Sequence, residues 1–149
     1  MSLKAQITTD MKSAIKAGNK DHLRVIRLIL AAIKQIEVDT RQELDENVIL
    51  SLLAKMIKQR RDSVKQFKKG NREDLASIEL SEIEVLNNYL PEQLTSDELE
   101  MIIDEAIQST GANGMRDMGK VIAQIKNKIS GRADMSIVSS LTKEKLISY

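Results

Sequence analysis

Apolar residues recur every three or four positions along most of this chain, which is the spacing of amphipathic α-helices rather than strands. In the first predicted helix they are Leu3, Ile7, Met11 and Ile15. Ser2 can cap the start of this helix, and Gly18-Asn19 ends it. A second helix, from about Asp21 to Arg41, is apolar nearly all round, which predicts that it is buried at the centre of the core.

A third helix, predicted from Asp45 to Lys69, has one apolar and one basic face. The apolar face contains Ile49, Leu52, Leu53, Met56, Ile57, Val64 and Phe67. The basic residues on the opposite face are Lys58, Arg61, Lys65, Lys68, Lys69 and Arg72. Arg60 is the exception, because the helical wheel puts it within the apolar arc. A charge near a core needs a partner, so we expect Arg60 to pair with Glu79 or Glu82 of the next helix.

Glycine and proline divide the rest of the chain into shorter helices. Gly70 is expected to stop the third helix, and Asn71 to cap the fourth. The fourth helix must end near Tyr89, because Pro91 disfavours a helical conformation in Leu90.

Three further helices are predicted after this break. The sequence Thr-Ser-Asp-Glu at 95–98 forms a capping box for the fifth helix, which Gly111 ends. A sixth helix is expected over about 115–129, and Asp134 can cap a seventh. We assign structural roles to Pro91, Gly111, Gly119 and Gly131.

Composition adds that the core must be aliphatic. Of 149 residues, 42% are hydrophobic but only 2% are aromatic. With 30% charged residues and helical spacing throughout, an all-α protein is expected. We predict a four-helix N-terminal domain at residues 1–91, followed by a small, tail-like three-helix domain at 92–149.

Several kinds of site and location are excluded or disfavoured. Disulfides and thiolate metal sites are excluded, because the chain has no cysteine. The one histidine, His22, is expected to be an ordinary helix-start residue, and we expect neither a metal nor a cofactor. No apolar stretch approaches the roughly 18 residues that span a membrane, and the N-terminus lacks the apolar region of a secretory leader. We therefore expect a cytoplasmic protein with no membrane partner.

The sequence also lacks the familiar motifs of enzymes. It contains no phosphate-binding loop, no dinucleotide-binding turn and no serine in a nucleophile elbow. The string Met118-Gly119-Lys120 resembles only the end of a phosphate-binding loop, because the earlier glycine and the Ser/Thr after the lysine are missing. We therefore assign no catalytic residue.

Charge is strongly segregated although the net charge is only +1. Residues 55–72 carry eight basic side chains and one acidic one, and residues 73–105 carry eleven acidic side chains and no lysine or arginine. Residues 106–149 carry seven basic and three acidic side chains. Such blocks suit two arrangements: neighbouring helices with complementary solvated faces, or docking onto a separate partner.

Two basic clusters are candidate RNA-binding surfaces, because cationic side chains along a helix or beside glycine-marked helix ends can contact phosphates. The first cluster is Lys58, Arg61 and Lys65, extended by Lys68 and Lys69. The second is Arg116, Lys120, Lys126, Lys128 and Arg132. The scarcity of aromatic residues argues against stacking on single strands, so folded RNA is the expected ligand and DNA is not expected. The alternative for each cluster is an ordinary solvated surface.

Four strings, in order along the chain, carry a family resemblance. They are Lys58–Ser63 (KQRRDS), Phe67–Leu75 (FKKGNREDL), Tyr89–Leu94 (YLPEQL) and Asp117–Val121 (DMGKV). On these strings the chain resembles the GatB/YqeY family, and more narrowly the stand-alone YqeY-like proteins, over essentially its full length. Met135 is a departure, since the family usually has glycine at this position.

The family in turn resembles the C-terminal helical region and tail of the B subunit of tRNA-dependent amidotransferase. That enzyme converts Glu-tRNA or Asp-tRNA to the glutaminyl or asparaginyl form with glutamine as amide donor. The resemblance implies that the tail contacts tRNA. It also implies that ATP-dependent activation and glutamine hydrolysis belong to parts of the enzyme that this chain lacks.

Three functions follow from these observations. The first is a non-catalytic tRNA- or RNA-binding accessory module, whose affinity would fall steeply with salt. The second is a protein-interaction module whose charged blocks dock on an aminoacyl-tRNA enzyme or an amidotransferase subunit. The third is a carbon–nitrogen ligase that takes its amide nitrogen from glutamine, which ammonia release by the purified chain would reveal.

Overall fold

The structure, a computed structural model, describes residues 2–148. This part of the chain forms seven α-helices, with a 3₁₀ turn at Met115–Asp117 before the sixth, and none of its residues lies in a strand. The helices are α1 (Leu3–Ala17), α2 (Lys20–Thr40), α3 (Glu46–Lys69), α4 (Glu73–Asn87), α5 (Ser96–Thr110), α6 (Met118–Ile129) and α7 (Met135–Ile147). The prediction of an all-α fold is confirmed.

The chain divides into two compact units, Met1–Leu90 and Pro91–Tyr149. In the first unit α3 packs along α4 and α1 packs along α2, around fully buried side chains such as Ile29 and Leu53. In the second unit α6 packs against both α5 and α7, and Ile125 of α6 is fully buried. Each unit therefore has its own aliphatic core.

α2 is less buried than its sequence suggests. Its core-facing residues are Val25, Ile26, Ile29 and Ile33. However, Leu28 is 43% exposed, and Ala31 is exposed too. The prediction of a helix buried nearly all round was wrong on this face. These two residues share the face with Lys20, Arg24 and Arg27, and burying these three cations would cost far more than exposing two apolar side chains.

The predicted capping residues at three helix starts are confirmed. The Ser2 hydroxyl accepts a hydrogen bond from an N–H in the first turn of α1 at 3.2 Å. The Thr95 hydroxyl accepts from the Glu98 N–H at 3.2 Å and donates to the Glu98 carboxylate at 3.1 Å. Asp134 accepts from the Ser136 N–H at 2.8 Å. Local sequence therefore determines these three helix starts.

The junction between α3 and α4 contradicts the prediction that Asn71 caps α4. Asn71 adopts a left-handed conformation (φ 57°), and its N–H donates to the Lys68 carbonyl at 3.2 Å. The Arg72 N–H donates to the Phe67 carbonyl at 2.8 Å, which completes the hydrogen-bond pattern of a Schellman motif. Asn71 therefore closes α3, and α4 begins after Arg72 without a side-chain cap. The Arg72 guanidinium instead binds the carboxylate of Asp74 at 3.1 Å.

The charged residue within the apolar arc of α3 has the partner that the sequence predicted. Arg60 donates from Nε to Glu82 Oε2 at 2.9 Å and from Nη1 to the Met56 carbonyl at 3.2 Å. The other oxygen of Glu82 accepts from Arg24 Nη2 at 3.3 Å. Glu82, which is 9% exposed, thus links α2, α3 and α4, whereas Glu79 has no part in the cluster.

Two glycines of the second unit differ in what they require of the backbone. Gly111 ends α5 in a left-handed conformation (φ 67°), where its N–H donates to the Gln108 carbonyl. Gly119 lies in the first turn of α6, where an added Cβ would meet no heavy atom within 4 Å. The structural role predicted for Gly119 therefore has no steric basis, whereas that of Gly111 does.

We expect opposite effects when each of these glycines is replaced by alanine. Gly111→Ala should destabilise the second unit by about 1 kcal/mol, because alanine is strained at positive φ. Gly119→Ala should stabilise it by about 0.5 kcal/mol, because alanine restricts the unfolded chain more than glycine does. Thermal unfolding followed by NMR signals of the second unit measures both changes. Equal changes in the two variants would contradict this assignment.

Candidate nucleic-acid interface

Five basic side chains of α3 form one exposed stripe, which we call the α3 stripe. Its members are Lys58, Arg61, Lys65, Lys68 and Lys69. Successive spacings of three, four, three and one residues keep them within about 100° of one another around the helix, over a length of about 17 Å. The opposite side of α3 is buried and packs against α4. The structure therefore brings Lys58, Arg61 and Lys65 together as the sequence predicted.

Most cations of the α3 stripe have no anionic partner in the part of the chain that the structure describes. Among residues 2–148, no carboxylate lies within 4 Å of the charged groups of Arg61, Lys65, Lys68 or Lys69. Asp62 is an exposed acidic residue at the edge of the stripe. The four like charges of Arg61, Lys65, Lys68 and Lys69 on one helix face attract polyanions, and their donors are available to them.

The basic residues predicted in the second unit do not converge in the same way. Lys120, Lys126 and Lys128 are all exposed on α6. On the helical wheel Lys126 and Lys128 lie about 160° apart, on either side of the buried face, and Lys120 lies between them on the solvent side. Lys120 Nζ also lies 3.9 Å from a carboxylate oxygen of Asp117. Arg116 is exposed in the preceding 3₁₀ turn.

Arg132, the last member of that predicted set, holds a backbone segment in place. Its Nε donates to the Glu92 carbonyl at 3.1 Å, and its own carbonyl accepts from the Leu94 N–H at 2.9 Å. Gln93 adds a hydrogen bond to the carbonyl of Gly131 at 2.7 Å. Arg132 therefore fixes the segment that leads into α5, and its Nε is not available to a phosphate.

A second cationic surface, on α2, was missed by the sequence analysis. Lys20, Arg24 and Arg27 are exposed together with Leu28 and Ala31 and line a shallow groove along this helix. Their spacing of four, three, one and three residues places them on one helix face. The signal was present in the sequence, but the apolar residues among the cations led to the prediction of burial.

The first unit also contains a polar cleft that no sequence motif indicated. It runs along α1 from Gln6 to Ala17, beside the start of α2 and the end of α4, and its volume is about 360 Å³. Within it the Tyr89 hydroxyl donates to Asp10 Oδ2 at 2.6 Å. Burial and the neighbouring Asp10 carboxylate raise the pKa of the Tyr89 phenol above its ordinary value. His22, which lines the same cleft, lies in the first turn of α2, as the sequence predicted.

The described residues contain neither a metal-binding cluster nor a helix that could span a membrane. Within residues 2–148, no group of three or more His, Asp or Glu side chains is arranged to hold a metal ion. In the same range, every helix is too short or too polar to cross a membrane.

Comparison with known families identifies the chain. The model of the Yqey-like protein family matches residues 4–146, which include nearly all of both units. The chain belongs to this family. The α3 stripe and the polar cleft therefore both lie on a Yqey-like protein.

Several fungal proteins with the name "Altered inheritance of mitochondria protein 41, mitochondrial" are similar to the chain. The protein of Lachancea thermotolerans is 34% identical over 145 residues, covering 91% of the chain and 76% of the relative. That of Pyrenophora tritici-repentis is 32% identical over 143 residues, covering 93% and 78%. That of Kluyveromyces lactis is 44% identical over 88 residues, covering 57% and 46%.

These names correct one prediction. A cytoplasmic location was expected from the composition and the N-terminus, but the relatives are named as mitochondrial proteins. The prediction was wrong because it rested on the absence of apolar segments. Such an absence separates membrane and secreted proteins from the rest, but it does not separate one aqueous compartment from another.

Proposed function

We propose that this Yqey-like protein is an RNA-binding accessory module, related to the tail of the B subunit of tRNA-dependent amidotransferase, with tRNA or another folded RNA as its ligand. The observation that supports the proposal most is the α3 stripe. Arg61, Lys65, Lys68 and Lys69 provide four cations on one face of a rigid helix, so phosphates can be contacted without reorganising the fold.

Folded RNA is favoured over a single strand because the first unit offers no aromatic stacking surface. Among the described residues, Phe67 is partly buried against the core and Tyr89 is 7% exposed. Proteins that bind single strands usually stack bases on exposed aromatic rings. Contacts to phosphates and shape are what a helical cationic stripe can provide, and double-helical RNA is recognised mainly in that way.

The test removes four charges from each candidate surface in turn. We expect R61Q/K65Q/K68Q/K69Q to lower tRNA affinity about tenfold to a hundredfold and to reduce the salt dependence of log K by about three. Glutamine keeps the helix propensity, so α3 should remain folded. Fluorescence titration of labelled tRNA at several salt concentrations measures both quantities.

The matched control is R116Q/K120Q/K126Q/K128Q, which changes the net charge equally but acts on residues that do not converge. It should weaken tRNA binding by less than the α3 variant. Equal losses of tRNA affinity in the two variants would show that only the net charge of the protein matters, and not the position of the charges. Absence of tRNA binding to the unaltered chain at low salt would refute the proposal.

A protein-interaction module is the second candidate, and the exposed α2 face favours it. Leu28 and Ala31 stand there among Lys20, Arg24 and Arg27, a mixture that suits an acidic amphipathic partner better than a phosphate backbone. The expected partner is an aminoacyl-tRNA enzyme or an amidotransferase subunit. Affinity purification with and without nuclease separates the two candidates. Recovery of such an enzyme after complete RNA digestion would favour this one.

A further inference from the structure

We propose that the polar cleft of the first unit is a binding site for a cationic amine or guanidinium group, with the Asp10 carboxylate as its anionic ligand. This inference does not depend on RNA binding. The polar lining of the cleft comes from three parts of the unit: Gln6, Asp10 and Ser13 on α1, Asn19 and His22 at the start of α2, and Asn88 and Tyr89 after α4.

Asp10 is held in place by a buried donor. Tyr89 is only 7% exposed, and its hydroxyl donates to Asp10 Oδ2 at 2.6 Å, so the carboxylate cannot rotate freely. The raised pKa of Tyr89 keeps the phenol protonated, and the hydroxyl therefore remains a donor over the physiological range. The Asp10 charge is thus positioned before any ligand arrives.

Among residues 2–148, no lysine or arginine nitrogen lies within 4 Å of the Asp10 carboxylate, and no lysine or arginine lines the cleft. The second carboxylate oxygen therefore retains its capacity to accept a hydrogen bond. A partly buried carboxylate in this state attracts a cationic donor and repels phosphates and carboxylates.

The surroundings of Asp10 also suit a cation. Ser13, Asn19 and Asn88 offer oxygen atoms as further acceptors, while Ala14 and Ala17 provide an apolar wall for a methylene stem. The volume of about 360 Å³ suits a side-chain-sized group.

The same chemistry can come from a free amine or from a lysine or arginine of a polypeptide, and the experiment uses one probe for each. The ¹⁵N-labelled full chain is titrated with L-arginine and with the blocked peptide acetyl-Gly-Arg-Gly-amide, each to roughly 10 mM. Saturable shifts at the amides of Asn19, His22 and Asn88 are expected with at least one probe. Binding of the peptide alone indicates a partner's side chain, and binding of arginine alone indicates a free metabolite.

Two controls test whether binding depends on charge, one on the ligand and one on the protein. A blocked peptide with citrulline in place of arginine has nearly the same shape but no charge, and it should bind at least about tenfold more weakly. D10N should lower the affinity for the arginine probe by a similar factor, whereas D62N, at an exposed carboxylate outside the cleft, should not change it.

The proposal is overturned if neither probe produces saturable shifts, if citrulline binds as well as arginine, or if D10N leaves the affinity unchanged. The citrulline comparison uses the unaltered chain, so a folding defect in D10N does not remove the test.

Discussion

Replacing Glu82 by alanine is expected to destabilise the first unit by about 3 kcal/mol. The side chains of Arg60 and Glu82 are 14% and 11% exposed, so the pair is largely withdrawn from water. Without Glu82, the guanidinium of Arg60 would keep only its hydrogen bond to the Met56 carbonyl and would lie against the core without a counter-charge. Urea denaturation monitored by helical circular dichroism measures the loss.

Three comparisons with other variants show whether the buried Arg60–Glu82 pair is the cause of the lost stability. Glu84→Ala, at an exposed site on the same helix, should change the free energy of unfolding by less than about 0.5 kcal/mol. Arg24→Ala should cost less than Arg60→Ala, because the Arg24 side chain is 52% exposed. The double variant Arg60→Met/Glu82→Leu should recover most of the lost stability, since apolar residues of similar volume can replace a buried pair. A Glu82→Ala variant as stable as Glu84→Ala would contradict the prediction.

The Arg60–Glu82 pair also marks how far sequence can predict packing here. The helical wheel of α3 puts Arg60 in the apolar arc, and the wheel of α4 puts both Glu79 and Glu82 at the border of its own. To choose between Glu79 and Glu82, one must know how α4 is rotated about its own axis relative to α3. That rotation depends on the fit of many side chains at once, which no local pattern contains.

Helix ends were predictable where a single residue could cap or end the helix. They were less predictable where two adjacent residues could each do so. Ser2, Thr95 and Asp134 act as the caps that their positions predict. At the junction of α3 and α4, Gly70 and Asn71 are adjacent, and either can end a helix. The structure uses Asn71 for the left-handed position, which leaves no asparagine to cap α4.

The candidate sites, like the helix ends, were predictable from the sequence only in part. The α3 stripe was predictable because all its members lie on one helix with helical spacing. The scatter of Lys120, Lys126 and Lys128 followed from the wheel of α6 as well, but the prediction weighed their nearness to glycines instead. The contact between Asp10 and Tyr89 was beyond sequence analysis, because 79 residues separate two ordinary polar side chains.

Replacing Ile125 by alanine is expected to unfold the second unit while the first remains folded. Ile125 is fully buried in α6, which packs against both other helices of this unit. Its truncation should cost about 2–5 kcal/mol. A single core in a unit of fewer than about 70 residues rarely provides more than 3–5 kcal/mol of stability, so the loss is comparable to the whole. In ¹H–¹⁵N spectra of the full chain, signals from residues 91–148 should collapse to unfolded shifts while those of the first unit stay dispersed.

Met101→Ala provides the matched control, because Met101 lies on α5 of the same unit but is 63% exposed. It should change stability by less than about 0.5 kcal/mol and leave both sets of signals dispersed. Loss of dispersion throughout the chain in Ile125→Ala would show that the two units fold as one, against the prediction of separate domains.

The Ile125→Ala variant also tests which unit binds RNA. If the α3 stripe provides the main contacts, Ile125→Ala should retain most of its tRNA affinity, whereas binding through Lys120, Lys126 and Lys128 should be lost with the second unit.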